Sequence, residues 1–138
     1  MSYRYLIIDD EKLARMGTLA KLSPMGNTIT CVGQASDGEE GIRLIEELSP
    51  DIIITDMKMP IMDGGQLLPI LAERYPDIQI IVISGYRDFE YSRQAIRASA
   101  IDYILKPFGE EEIISAMEQA IARMESQSAI ENKLQSSE

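Results

Sequence analysis

Five short apolar runs constrain this chain more than any other feature. Each ends in a polar or charged residue, and stretches of helical periodicity separate them. The third run is the most explicit. Ile52-Ile53-Ile54-Thr55 leads directly into Asp56, and Pro60 and an Asp63-Gly64 turn follow. An apolar run this short, bounded by turn signals, reads as a strand buried on both faces. Open parallel sheets place their chemistry at the C-terminal ends of such strands. Taken alone, though, Asp56 is better explained as a residue that merely ends a strand or caps a helix.

The rest of the chain changes that balance. Tyr3–Ile8 reads as strand one and runs into Asp9-Asp10-Glu11. A helix is expected over Lys12–Leu22, with Leu13, Met16 and Ala20 as its apolar stripe, followed by a turn at Pro24–Asn27. Thr28–Ala35 reads as strand two, and Ser36-Asp37-Gly38 breaks it. Glu39–Leu48 is amphipathic through Ile42, Ile45 and Leu48, and Ser49-Pro50 closes it. A third helix is expected from Asp63-Gly64-Gly65 to about Tyr75. Pro69 lies inside it, so that helix either starts late or bends. Ile78–Ile83 reads as strand four, ending at Ser84-Gly85. Asp88 is the expected N-cap of a short helix to Ala98, and Ile101–Leu105 reads as strand five before Lys106-Pro107. Glu110-Glu111-Glu112 suits a helix N-terminus, and Ile113, Met117, Ile121 and Met124 form the stripe of that last helix. A strand–helix unit repeated five times implies a parallel α/β sheet with right-handed crossovers and helices on both faces.

Residues 1–124 are expected to form one domain, an ordinary size for a single core. Residues 125–138 are mostly polar, and Ile130 and Leu134 do not continue the preceding stripe. An extension of the last helix, a linker and a disordered segment all remain open for them. No apolar run approaches the roughly 20 residues that a membrane helix needs, and charge follows the N-terminus too closely for a signal peptide. The single cysteine, Cys31, cannot form an internal disulfide and is expected to be a buried free thiol in a cytoplasmic protein. The net charge of −10 argues against nucleic-acid binding by this chain alone. With no histidine, histidine general bases, Ser-His-Asp triads and histidine zinc ligands are excluded; one cysteine rules out a structural zinc site.

In a parallel sheet the strand ends share one edge. Asp9 and Asp10, Asp56, Ser84 and Lys106 would converge there. Singly, each has a structural explanation: a helix cap, a strand end, a turn, a surface lysine. Together they form a set. Two carboxylates about 4 Å apart repel by roughly 4 kcal/mol at a surface-like dielectric. A divalent cation relieves that repulsion, and Mg²⁺ favours oxygen ligands with waters and a phosphate. The chemistry that uses this set is phosphoryl transfer to a carboxylate. Cations stabilise the equatorial oxygens, and a hydroxyl donates to one oxygen of the product.

The motifs also resemble a known family. Asp9-Asp10-Glu11, the run Asp56-Met57-Lys58-Met59-Pro60-Ile61-Met62-Asp63-Gly64, Ile83-Ser84-Gly85 and Leu105-Lys106-Pro107-Phe108 are similar to the receiver domain of two-component response regulators. The resemblance covers roughly residues 3–124. It implies a flavodoxin-like fold with strand order 2-1-3-4-5. It implies that Asp56 is the phosphoacceptor and that Asp10, Asp56 and the backbone carbonyl of Lys58 bind Mg²⁺, with Asp9 helping through a water. Ser84 would be the switch hydroxyl, Lys106 would contact the phosphoryl group, and the Lys106–Pro107 peptide would be cis. Tyr103 would be an aromatic switch on strand five; an ordinary half-buried strand tyrosine explains it equally well. The implied donor is a phosphohistidine on a sensor histidine kinase. Ile83-Ser84-Gly85-Tyr86-Arg87-Asp88-Phe89 through Ile96 is similar to receivers joined to AraC-type helix-turn-helix domains. That likeness implies a transcription regulator whose DNA-binding output domain lies outside this chain, with residues 125–138 leading toward it; whether a homodimer forms on phosphorylation is left open by these residues.

Some positions depart from the pattern. Ala98-Ser99-Ala100 stands where Leu-Gly-Ala is frequent, and Gly65 where a larger apolar residue is usual. The last helix lacks the basic residues through which one large subfamily dimerises. Two competing readings remain. A haloacid-dehalogenase-type phosphatase would use a similar set, but it needs a carboxylate two residues after the nucleophile, where this chain has Lys58. A receiver-like module that binds partners without phosphorylation would not need the complete set of charged residues.

Overall fold

The computed structural model describes residues 2–136. Strands β1 (Tyr3–Ile8), β2 (Ile29–Ala35), β3 (Ile52–Asp56), β4 (Gln79–Ser84) and β5 (Asp102–Leu105) form one parallel sheet. Their order is β2-β1-β3-β4-β5, as the resemblance implies, so β1 and β3 are neighbours. Helices α1 (Lys12–Leu22), α2 (Gly38–Leu48), α3 (Gly64–Arg74), α4 (Phe89–Arg97) and α5 (Glu110–Ser136) connect the strands or follow them.

Side chains alternate across each strand, so the isoleucine runs supply two cores. Tyr5, Ile7, Ile52, Ile54, Ile81 and Ile83 pack against α1 and α5 through Leu22, Ile113, Ala116 and Met117. Leu6, Ile8, Ile53, Ile80 and Val82 face the opposite way, toward Ile45, Leu67, Leu68, Leu71 and Ala95 of α2, α3 and α4. Burial of each such side chain stabilises the fold by about 1.5–3 kcal/mol, and these cores hold the strand ends in register.

Local chemistry sets the helix starts. Asp37 accepts from the Glu40 N–H at the head of α2, and Asp88 accepts from the Glu90 and Tyr91 N–H groups at the head of α4, as expected for an N-cap. Asp63 and Gln66 form a reciprocal capping box on α3. That box starts α3 at Gly64, and the helix continues through Pro69 rather than starting late. Buried Leu67, Leu68 and Leu71 hold both sides of the proline against the sheet.

Four expectations need correction. The stripe Leu13, Met16 and Ala20 is solvent-facing; α1 buries Thr18 and Leu22 instead, with Leu19 beside them. Cys31 is half-buried rather than buried, and its thiol donates to the Gly33 carbonyl at 3.4 Å. The turn at Pro24–Asn27 is part of a 3-10 segment, Ser23–Thr28, so β2 begins at Ile29. Strand β4 runs through Ser84 and β5 begins only at Asp102. At 98–100, Ser99 adopts a left-handed φ of 58°, the conformation a glycine supplies without strain, and Arg123 of α5 donates to its carbonyl at 2.9 Å. The segment after Met124 is helical through Ser136.

Candidate functional site

The strand register brings the charged residues together. Ile8 pairs with Thr55, Asp56 with Ile83 and Ser84 with Leu105, so Asp9, Asp56, Ser84 and Lys106 leave the sheet at one edge. The Lys106 N–H donates to the Ser84 carbonyl at 2.7 Å, fixing the last turn of that edge. The Lys106–Pro107 peptide is cis, as the resemblance implies.

At the centre, the Lys106 ammonium donates to Asp9 Oδ2 at 2.8 Å and to Asp56 Oδ2 at 2.9 Å. Asp9 is fully buried and Asp56 nearly so, while Asp10 is exposed. The second oxygen of Asp56 accepts from the Met57 N–H at 2.7 Å, and that of Asp9 accepts from the Glu11 N–H at 3.0 Å. Glu11 is the N-cap residue of helix α1 and makes no side-chain capping bond, so neither aspartate serves as the N-cap. One ligand oxygen from each of Asp9, Asp10 and Asp56 lies within 4.8 Å of the others.

The electrostatics follow from this crowding. Burial raises the Asp56 pKa above the ordinary carboxylate range, and the Asp9 charge adds to it. The Lys106 hydrogen bond and charge, with the Met57 N–H, oppose the rise without cancelling it. Burial works against the Lys106 ammonium, but its hydrogen bonds to Asp9 and Asp56 and their charges outweigh it and raise its pKa. Three carboxylates meet one ammonium here, so the cluster carries surplus negative charge that a small divalent cation would neutralise. Three hard oxygen donors on one side of an open edge fit Mg²⁺, which binds through carboxylates and retains waters. Asp9, Asp10 and Asp56 are the residues whose carboxylates could hold it.

The loops around Asp56 are closely tied. Gly64 donates to the Met57 carbonyl at 2.7 Å, and a side chain at Gly64 would meet the Met57 sulfur at 2.6 Å, so only glycine fits. The Met62 N–H donates to the Pro60 carbonyl at 2.7 Å across a tight turn that holds Ile61 at φ 65° and exposes its side chain. A β-branched residue rarely adopts that conformation, and strain of this kind costs about 1–3 kcal/mol.

Ser84 is buried at the end of β4, and its hydroxyl accepts from the Tyr86 N–H at 3.1 Å. Among the described residues no hydrogen bond joins it to Asp56. The Tyr103 hydroxyl donates to the Tyr86 carbonyl at 2.7 Å, and burial raises its pKa while the nearby Ser84 hydroxyl pulls it down. Tyr86 therefore stands between the two expected switch residues. The Lys58 ammonium lies 4.7 Å from the centre of the Tyr86 ring, linking the loop after β3 to the loop after β4.

Nothing in the sequence marks out Tyr86 or Arg15. The Arg15 guanidinium donates to the Asp9 backbone carbonyl at 2.6 Å and to the Gln34 side chain at 3.0 Å. No spacing rule exposes contacts of this kind, because both join positions that only the tertiary fold makes adjacent.

A doubly wound parallel sheet in the order 2-1-3-4-5, with an acidic cluster and a lysine at its carboxyl edge, places the chain in the class of flavodoxin-like α/β domains, whose sites lie at the C-terminal ends of the strands. Comparison with known proteins narrows the class to a family. The response regulator receiver domain model matches residues 5–118, and the chain belongs to that family. It is 35% identical over 131 residues to the Bacillus subtilis transcriptional regulatory protein YesN, covering 95% of this chain and 36% of that protein. It is 39% identical over 117 residues to the transcriptional regulatory protein LiaR of the same organism, covering 85% of this chain and 55% of LiaR. The chain thus spans about a third to a half of these relatives. Among solved structures, the receiver domain of AraT, a response regulator from Geobacillus stearothermophilus, matches with a TM-score of 0.84 and 33% identity over 93% of this chain and 99% of that one. A two-component transcriptional regulator AraC from Clostridium phytofermentans matches with a TM-score of 0.78 and 37% identity, over 92% of this chain and 98% of that one. No described helix is long and apolar enough to cross a membrane.

Proposed function

We propose that this receiver domain accepts a phosphoryl group on Asp56 from a phosphohistidine of a sensor histidine kinase. The observation that carries the proposal is the Lys106 ammonium held between Asp9 and Asp56 at 2.8 and 2.9 Å, inside a three-carboxylate cluster. An Asp56 carboxylate oxygen forms the new bond to phosphorus while the bond from phosphorus to the donor imidazole nitrogen breaks. Asp56 acts as nucleophile, and Lys106 shifts from pairing with a carboxylate to pairing with a phosphoryl oxygen. Asp10, Asp56 and the Lys58 carbonyl would hold Mg²⁺, with Asp9 assisting through a water, and the bound ion would supply positive charge to the transferring group.

The product carries more negative charge than the carboxylate it replaces. Ser84 is drawn to donate to it, which alters the hydrogen bond from Tyr86 and with it the Tyr86–Tyr103 contact. Tyr103 thus serves as the second switch residue. The response reaches an output domain beyond residues 125–138, which form the connection to it, and DNA is contacted only through that domain. Phosphorylation favours a homodimer. The chain works in the cytoplasm as a signalling acceptor that assists its own phosphorylation and dephosphorylation, without turnover of a separate substrate.

Intact mass after incubation with acetyl phosphate tests this function. The expected result is one added phosphoryl group with Mg²⁺ and none with chelator. Absence of an adduct, together with no spectral change on adding beryllofluoride and Mg²⁺, would favour a module that does not use this chemistry. Turnover of a generic phosphomonoester would favour the phosphatase reading.

A further inference from the structure

We infer that Arg15 is a positioning residue for Mg²⁺ binding, acting through the peptide between Asp9 and Asp10; the inference rests on the function proposed above. The Asp10 carboxylate is the exposed member of the cluster, and among the described residues no hydrogen bond holds it. Its placement depends on the backbone that carries it. Arg15 grips that backbone directly, because its Nη1–H donates to the Asp9 carbonyl at 2.6 Å. A peptide unit is planar, so holding this carbonyl orients the whole Asp9–Asp10 link.

The same guanidinium anchors the link to the sheet. Its Nε–H donates to Gln34 Oε1 on β2 at 3.0 Å, beside Ala35, whose carbonyl accepts from the Asp9 N–H at 2.9 Å. Both backbone polar groups of Asp9 are thereby held by separate partners. Helix α1 has no side-chain cap, so its start depends on contacts of this kind. Arg15 makes no ion pair among the described residues. Its planar fork instead reaches two neutral acceptors in different directions, a geometry that a lysine ammonium on a flexible stem does not reproduce. Its charge also lies close to a cluster with surplus negative charge.

Groups that orient metal ligands change metal affinity by about 10–100-fold when removed. Arg15→Ala is therefore expected to raise the Mg²⁺ dissociation constant by about that factor in calorimetric titration. Gln34→Leu, which alters an exposed side chain, is expected to give a smaller loss in the same direction. Arg15→Lys is expected to stay closer to Arg15→Ala than to the parent. Asp51→Ala, at the far edge of the sheet, serves as a control and is expected to leave Mg²⁺ affinity unchanged while lowering stability. In chelator, the backbone amide signals of Asp10 and Glu11 are expected to broaden or shift in Arg15→Ala before any metal is added.

Full rescue by lysine would overturn the inference in favour of charge alone. Unchanged Mg²⁺ affinity in both Arg15→Ala and Gln34→Leu, with the parent binding normally, would overturn it while leaving the proposed function standing. A parent chain that binds no Mg²⁺ would contradict both.

Discussion

Two aspartates bracket strand β3, Asp51 just before it and Asp56 at its end, and they do different work. The Asp51 carboxylate accepts from the Arg4 N–H at 2.9 Å, while its own backbone exchanges bonds with Arg4 and Gln79. It closes the amino edge of the sheet by meeting a single backbone donor. Asp56 faces another buried carboxylate and a shared ammonium, and its pKa is raised by burial. At the amino edge a carboxylate completes a hydrogen-bond pattern. At the carboxyl edge the fold holds one where it is unfavourable unless a cation or a proton joins it. Residue type does not separate the two; what each carboxyl group faces does.

The largest expected effect is at Asp56. Asp56→Asn should remove all acetyl-phosphate labelling while the protein remains folded, as checked by intact mass and circular dichroism. It should also stabilise the metal-free protein at neutral pH. An acid whose folded pKa is raised binds more protons when folded than when unfolded. Its ionisation therefore costs stability, beginning near the ordinary carboxylate pKa and becoming complete above the folded one. The advantage of Asp56→Asn over the parent should thus grow as pH rises from about 4 to 7 in chelator-treated thermal melts. An advantage that shrinks over that range would break the comparison.

Lys106→Ala should come next. Removing the shared partner of two buried carboxylates is expected to cost about 2–4 kcal/mol in urea denaturation, the lower part of the range applying if Asp56 takes up a proton. Some phosphorylation should survive, with a weaker spectral response at Ser84 and Tyr103. Asp51→Ala should cost about 1–2 kcal/mol through the bond lost to Arg4, with labelling at the parent rate. Ser99→Gly, also near the amino edge, should stabilise by about 0.5–1 kcal/mol, because Ser99 already adopts a left-handed φ. A change in labelling with either of these last two variants would show that the two edges are coupled.

Much of the carboxyl edge was legible in the sequence, because short isoleucine-rich runs mark strands and the polar residues that end them must share an edge. Asp9, Asp10, Asp56 and Lys106 followed from that logic together with the family resemblance. The buried face of helix α1 is obscured in the sequence for a physical reason. Ala14, Gly17 and Ala20 dilute its periodicity, so Leu13 and Met16 suggest a face that the fold leaves in solvent while Thr18 and Leu22 go inside. Left-handed Ile61 gave no signal, since β-branched residues argue against such a turn. Arg15 gave none either, because its acceptors are a backbone carbonyl and a residue on another strand. The helical continuation to Ser136 was not decidable from a stripe that stops at Met124.

The most direct test of the account locates the phosphoryl group. The parent, Asp51→Asn and Asp56→Asn are labelled with acetyl phosphate and Mg²⁺, digested at low temperature and compared by peptide mass. The account predicts one modified peptide containing Asp56 in the parent and in Asp51→Asn, and no label in Asp56→Asn. A label that persists in Asp56→Asn, or that maps outside the strand-end cluster, would contradict it.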